Sequence, residues 1–187
     1  SQKRIFGPLG MTRTSWRDDY TRIVKDRAIA YSGSVTGLRQ DMPFENVHGN
    51  GGLLTTVGDM LKWNENFVAP KVGDAAFVTR QQTVGKFPSG VDQTYAAGLT
   101  LGVYKGLPEV SHSGSTAGYR AFLTRFPKQH VSVAVLCNPG TADPTAAAHA
   151  VSDLYLEGSV NASAARPPAP GAGRSERPGP RRRLRSS

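Results

Sequence analysis

The residues best suited to chemistry fall in one short stretch, Val110 to Tyr119, which reads Val-Ser-His-Ser-Gly-Ser-Thr-Ala-Gly-Tyr. It follows on from an alternating strand, Leu107 to Ser113, and then gathers small residues between Gly114 and Gly118. Where Cβ bulk is missing, a ligand can lie against the backbone. An edge strand approached this closely offers its N–H groups to a developing oxyanion. His112 and Ser113 stand beside those donors, as a cation or proton donor and a hydroxyl. An ordinary hairpin with a glycine-rich turn and a solvent-facing histidine would carry the same residues.

Elsewhere the sequence offers little chemistry. Histidines 48, 112, 130 and 149 show no metal-ligand spacing, and Cys137 has no cysteine partner, so a metallohydrolase is not expected and no cofactor is implied. Cys137 sits in an apolar run and reads as a small core residue. Gly49-Asn50-Gly51-Gly52 is followed by no Gly-Lys-Ser/Thr and preceded by no strand, so it reads as a tight turn feeding a helix and not as a phosphate loop. Gly114-Ser115-Thr116-Ala117-Gly118 has threonine where a nucleophile elbow has its nucleophile, with no strand-turn-helix context.

The elements that must position the His112 stretch are legible in outline. Gln2–Phe6 reads as the last turn of a helix, stopped by Gly7 and Pro8. Ile23 to Tyr31 has Ala28, Ala30 and Tyr31 in a short extended piece, and residues 32–50 form a long irregular connection. Thr56-Val57-Gly58-Asp59 is a capping box, with Thr56 as N-cap and Asp59 reaching back. The helix it opens should run to about Val68, before Pro70, with Val57, Met60, Leu61, Phe67 and Val68 as its apolar face; Trp63 fits a place near a substrate cleft, but a core or rim position is the simpler reading. Tyr95 to Tyr104 alternates as a strand, and Gly106 and Pro108 turn it into the His112 strand. Tyr119–Phe126 and Val131–Cys137 complete an antiparallel meander. The last is nearly all apolar, which predicts a central strand buried on both faces. Asp143-Pro144 opens a helix whose inner stripe is predicted as Ala147, Ala150, Val151 and Leu154.

At 187 residues and 38% hydrophobic, the chain can bury one sizeable core, and no run approaches the roughly 18 apolar residues of a membrane helix. The net charge of +9 is uneven. Arginines 166, 174, 177, 181, 182, 183 and 185 against Glu176 give the segment from Ser159 a charge of +6, leaving a mildly basic body. That body is not expected to bind nucleic acid. Residues 1–158 read as the folded part, and 159–187 as a disordered Pro/Ala/Arg-rich tail that cannot offset ordering entropy by burial. The tail's arginine run would suit an anionic surface, although no aromatics are interleaved with it. Asn161-Ala162-Ser163 matches a glycosylation sequon by pattern only.

His112-Ser113-Gly114-Ser115 resembles the His/Lys-x-Gly box of the serine β-lactamase and penicillin-binding-protein family, in the branch nearest class C β-lactamases, DD-peptidases and related esterases. Residues 5–14 (Ile-Phe-Gly-Pro-Leu-Gly-Met-Thr-Arg-Thr) and 51–60 (Gly-Gly-Leu-Leu-Thr-Thr-Val-Gly-Asp-Met) match the same family in the expected order. The resemblance runs from about Ile5 to Leu156. It implies an α/β (α+β) fold, an antiparallel sheet flanked by helices and incomplete at its N-terminus. It also implies hydrolysis of an ester or amide through an acyl-enzyme, on a small-molecule or peptide substrate, in a periplasmic or secreted protein. By the match, Ser115 would give an oxyanion-hole N–H, and His112 would replace the usual lysine. Ser113 would bond a substrate carboxylate or amide, and Gly114 would keep the strand surface clear.

The family acylates a serine in Ser-x-x-Lys and assists it with Tyr-x-Asn or Ser-x-Asn. No serine here has lysine three residues on and no tyrosine has asparagine two on, while Ser159-Val160-Asn161 comes too late in the order. The chain is therefore expected to be the C-terminal portion of a longer hydrolase, inert alone, with an unfilled sheet edge. A non-catalytic binding module on the same fold is the alternative. The family would also end near the last helix, which makes the tail atypical.

Overall fold

The computed structural model describes residues 1–164 except 35, 45–48, 50 and 92, and side chains only as far as 160. His48 and most of the Gly49–Gly52 turn's approach lie outside the described residues, as do the sequon's side chains and the tail from 165 on.

A π-helical turn, Gln2–Phe6, leads directly into a short helix α1 (Gly7–Leu9). The expected stop at Gly7-Pro8 is therefore wrong. The wide turn bonds Gly7 N–H to Gln2 O, and Pro8 falls in the first turn of the next segment, where no N–H is needed. The chain turns off at Gly10, which is left-handed at φ 67°. Phe6, Leu9 and Met11 then form a core with Trp16, Leu53, Trp63 and Val72 around it. Trp16 and Leu53 belong to the paired strands β1 (Ser15–Trp16) and β4 (Leu53–Leu54). Between them, β2 (Tyr31–Ser32) pairs with β3 (Arg39–Gln40).

Helix α2 (Val57–Glu65) is capped by Thr56, whose hydroxyl accepts Asp59 N–H at 3.3 Å. The other half of the capping box does not form. The Asp59 carboxylate instead accepts Arg13 N–H and the Thr14 hydroxyl, each at 2.8 Å, and Lys62 Nζ at 2.9 Å. Desolvation of this buried acid works against ionisation, but the bonds from Lys62, Thr14 and Arg13 outweigh it and lower its pKa. The predicted apolar face is also rotated. The helix ends at Glu65, short of the expected Val68; of the predicted face Phe67 is buried and Met60 half-buried, but Val57, Leu61 and Val68 are exposed, while Asp59 and Asn64 are buried because the helix docks through polar bonds to its neighbours. Asn64 Nδ2, for instance, donates to Ser132 Oγ across the helix–sheet junction. A further helix, α3 (Ala75–Gln81), opens on Asp74, which accepts Phe77 N–H at 2.7 Å.

The sheet is a four-stranded antiparallel meander, β5 (Thr100–Tyr104), β6 (Leu107–Thr116), β7 (Tyr119–Phe126) and β8 (Val131–Cys137), in that spatial order. Helix α4 (Pro144–Ala164) crosses one face, and α2 packs against β8. The family's fold class is thus present: mixed α and β, with antiparallel sheets flanked by helices. Three sequence expectations fail here. The Tyr95–Tyr104 strand folds back at Gly98 (φ 76°), so only Thr100–Tyr104 joins the sheet. β8 pairs with β7 alone among the described residues and is an edge, its apolar content explained by helices and not by two strand neighbours. Helix α4 buries Ala148, Ser152 and Leu156, one position off the predicted stripe, and leaves Val151, Leu154 and Tyr155 exposed. α4 also continues to Ala164, beyond the expected boundary at 158, with Val160 against the Leu107–Phe126–Leu156 cluster. Cys137 is a free thiol, half-buried. Among the described residues no helix is long and apolar enough to cross a membrane.

Candidate active site at the open end of strand β6

Strand β6 outruns its neighbour. Its pairing with β5 ends at Thr100↔Ser111, whereas pairing with β7 continues to Thr116↔Tyr119. Residues 112–116 therefore have a strand on one side only among the described residues.

The direction of each amide follows from the turns. Lys105-Gly106 is a two-residue turn with φ of 47° and 81°, closing on the pair Tyr104↔Leu107. A two-residue hairpin of this type closes on a hydrogen-bonded pair. Bonds to β5 then recur at Leu107, Glu109 and Ser111, and Pro108, which has no N–H, falls on the other parity. Continued past Ser111, the same alternation points the N–H groups of Ser113 and Ser115 off the open edge. The turn at Ala117-Gly118, closing on Thr116↔Tyr119, agrees, since it assigns 116, 114 and 112 to the β7 side.

The side chains alternate likewise. His112 and Gly114 share a face with their cross-strand partners Leu123 and Ala121. A Cβ on Gly114 would sit 3.4 Å from Ala121 Cβ, an ordinary contact, so packing does not require glycine there. The bare patch beside His112 is open to something outside the described fold. His112 is exposed, and its Nε2 lies 2.9 Å from the Tyr95 hydroxyl, with the rings 5.8 Å apart. The fold-back at Gly98 delivers Tyr95, with Ala96 N–H bonded to Leu99 O at 2.8 Å. The strand alternation placed Tyr95 with Ala97, Leu99, Leu101 and Val103 and missed this contact. Ala97-Gly98 was the available turn signal.

The far end of the stretch is fixed tightly. A Cβ on Gly118 would come within 2.5 Å of Tyr31 O and 2.6 Å of Tyr31 N, so this glycine is demanded by the β2 backbone lying across it. Gly118 N–H donates to Asp41 O at 3.0 Å, and Arg120 Nη1 donates to Ala117 O and Tyr119 O, each at 2.7 Å. The structure thus brings His112, Ser113, Gly114 and Ser115 together on an exposed, one-sided strand end braced from behind. Among the described residues no group of three or more His, Cys, Asp or Glu side chains could hold a metal ion.

Residues 1–156 match the family model named Beta-lactamase. The chain belongs to the Beta-lactamase family. It is 27% identical over 121 residues to a D-aminopeptidase of Brucella anthropi, a match covering 63% of this chain and 22% of that protein. Its fold is similar to an octameric penicillin-binding protein homologue from Pyrococcus abyssi, with a TM-score of 0.70, 28% identity, and coverage of 83% of this chain and 36% of that one. It is similar in fold alone to a D-amino acid amidase from Ochrobactrum anthropi SV3, with a TM-score of 0.65, 20% identity, and coverage of 86% and 50%. This member of the family therefore spans between about a fifth and a half of the length of these relatives.

Proposed function

We propose that this chain supplies the His-x-Gly wall of a serine hydrolase that cleaves an ester or amide through an acyl-enzyme. The attacking serine and its lysine belong to polypeptide outside these 187 residues. The observation that carries the reading is the open end of β6: two amides directed off an unpaired edge, beside an exposed imidazole and a bare glycine. Such an edge suits a tetrahedral intermediate, whose oxygen needs donors fixed before charge develops. In this reading Ser115 N–H is one donor, and the nucleophile's own amide is the other. His112, held by Tyr95, orients the proton network at the serine. Ser113 bonds a substrate carboxylate or amide, and Gly114 leaves room for the substrate backbone. The D-aminopeptidase relative favours an amide of a D-amino acid over a β-lactam or simple ester as substrate.

The test has two parts. The chain alone should show no turnover of nitrocefin, p-nitrophenyl acetate or D-phenylalanine amide, and turnover abolished by His112→Ala would overturn the assignment of the nucleophile elsewhere. In a protein that joins this chain to a Ser-x-x-Lys segment, Ser115→Pro should fold, since proline is tolerated where a strand's N–H faces outward. It should lower kcat by roughly 10²–10³, equivalent to about 3–4 kcal/mol. Full activity in Ser115→Pro would remove Ser115 from the oxyanion site.

A further inference from the structure

On the same face of the sheet as His112, but two residue pairs further along the ladder at Val110↔Arg125, a cleft of about 350 Å³ opens between α2 and the β7–β8 turn. Its size falls in the range of small-ligand pockets. Arg125 lines it and is only 6% exposed. The guanidinium lies over the Phe67 ring, with Cζ 4.1 Å from the centroid, and its Nη2 is buried without a hydrogen-bond partner. No described carboxylate lies within ion-pair distance of it, although buried charges are ordinarily paired. Burial pushes its pKa down to about 10, so it remains a cation at neutral pH.

The rest of the lining divides by chemistry. His130, held at φ 53° in the turn, and Ser132 add polar atoms near the arginine. Leu61 of α2 and Val68 just beyond its end, both exposed, form an apolar wall, while Asn64 and the exposed Glu65 also line the cleft, Glu65 lying beyond ion-pair distance of Arg125. An unpaired buried cation with polar neighbours and an apolar wall fits an amphiphilic anion. We infer that this cleft binds a carboxylate or phosphate head group on a compact apolar body, with Arg125 as its counter-ion and His130 as a second donor. The cation–π contact with Phe67 holds the guanidinium in place before the anion arrives. The cleft serves no step of the proposed hydrolysis.

The experiment titrates the 187-residue chain with sodium benzoate and with inorganic phosphate, at ionic strength held constant with sodium chloride. The readouts are the Arg125 Nε–Hε NMR signal and Tm. A saturable shift of that signal with a rise in Tm is expected for at least one of the two. Arg125→Met should weaken the response at least tenfold. His130→Ala, which leaves the arginine and its packing intact, should weaken it at least threefold and covers the case in which Arg125→Met does not fold. A response that fails to saturate, or that survives both substitutions, overturns the site, as does no response to either anion. An acidic side chain from polypeptide outside the chain would present the same head group. A longer protein that shows the Arg125 signal already shifted and no longer moved by free anion assigns the head group to such a side chain. A longer protein that titrates as the 187 residues do assigns it to a free ligand.

Discussion

Leu107–Ser111 and His112–Thr116 are halves of one strand, yet their environments are opposite. In the first half Leu107, Glu109, Val110 and Ser111 are buried and paired to β5, and α4 covers one face. Its one acid is partnered: Glu109 Oε1 accepts the Thr124 hydroxyl at 2.7 Å and meets His149 Nε2 at 2.8 Å. His149 is itself stacked on Tyr104 with ring centroids 3.8 Å apart. In the second half, residues 112–115 are exposed and, among the described residues, paired to a strand on one side only. A buried half paired to β5 throughout, and from Val110 to β7 as well, gives stability. An open half with amides unanswered leaves donors for a ligand, and the buried half keeps those donors in place.

The largest effect should come from the buried half. Leu107→Ala removes a side chain that is 4% exposed at the centre of a cluster with Phe126 and Leu156, and should cost about 3 kcal/mol in chemical denaturation. His112→Ala should change stability by less than about 0.5 kcal/mol. Equal costs would erase the distinction between the halves. Glu109→Ala should follow at about 2–3 kcal/mol, because Thr124 and His149 lose a charged acceptor in a buried setting.

Gly118→Ala sharpens the boundary. A methyl within 2.5 Å of the Tyr31 backbone must push β2 away, at about 2 kcal/mol, and should raise the exchange rate of the neighbouring Gly118–Asp41 bond. Acid provides a further contrast, with its source outside β6. The bonds from Lys62, Thr14 and Arg13 hold the Asp59 carboxyl below its usual range, so it binds its proton less readily when folded. Its contribution is present above about pH 4 and is lost as pH falls through the folded value. Asp59→Asn should therefore flatten the acid limb of the Tm profile below about pH 4, and an unchanged limb would assign acid lability elsewhere. Smallest of all, Ser115→Ala should leave Tm unchanged within error, because the hydroxyl has no hydrogen bond among the described residues and the amide remains.

The sequence was informative where a local rule acts alone. The meander, the Thr56 cap and the Asp143 cap, which accepts Ala146 N–H at 2.9 Å, follow from turn and capping chemistry within a few residues. It misled where tertiary packing chose the outcome. On α4 the apolar residues Val151, Leu154 and Tyr155 face outward, because the face docked on the sheet is the one that carries Ala148, Ser152 and Leu156. Asp59 looked like half of a capping box, but the Arg13–Thr14 segment, distant in sequence, takes its carboxylate. At the candidate site, type and spacing singled out His112 to Ser115 but fitted an ordinary glycine-rich hairpin equally, and the family resemblance made them candidates. Tyr95 was not, since a fold-back at a single glycine decides its place. Arg125 gave no signal either, because burial of a charged residue in a strand is invisible without the helix that covers it.

Backbone amide hydrogen exchange along β6 tests the open edge most directly. Ser113 and Ser115 should exchange orders of magnitude faster than His112 and Gly114, whose N–H groups lie in the β7 ladder. Protection at Ser115 equal to that at Gly114 would mean the edge is closed and no donor is available to an oxyanion.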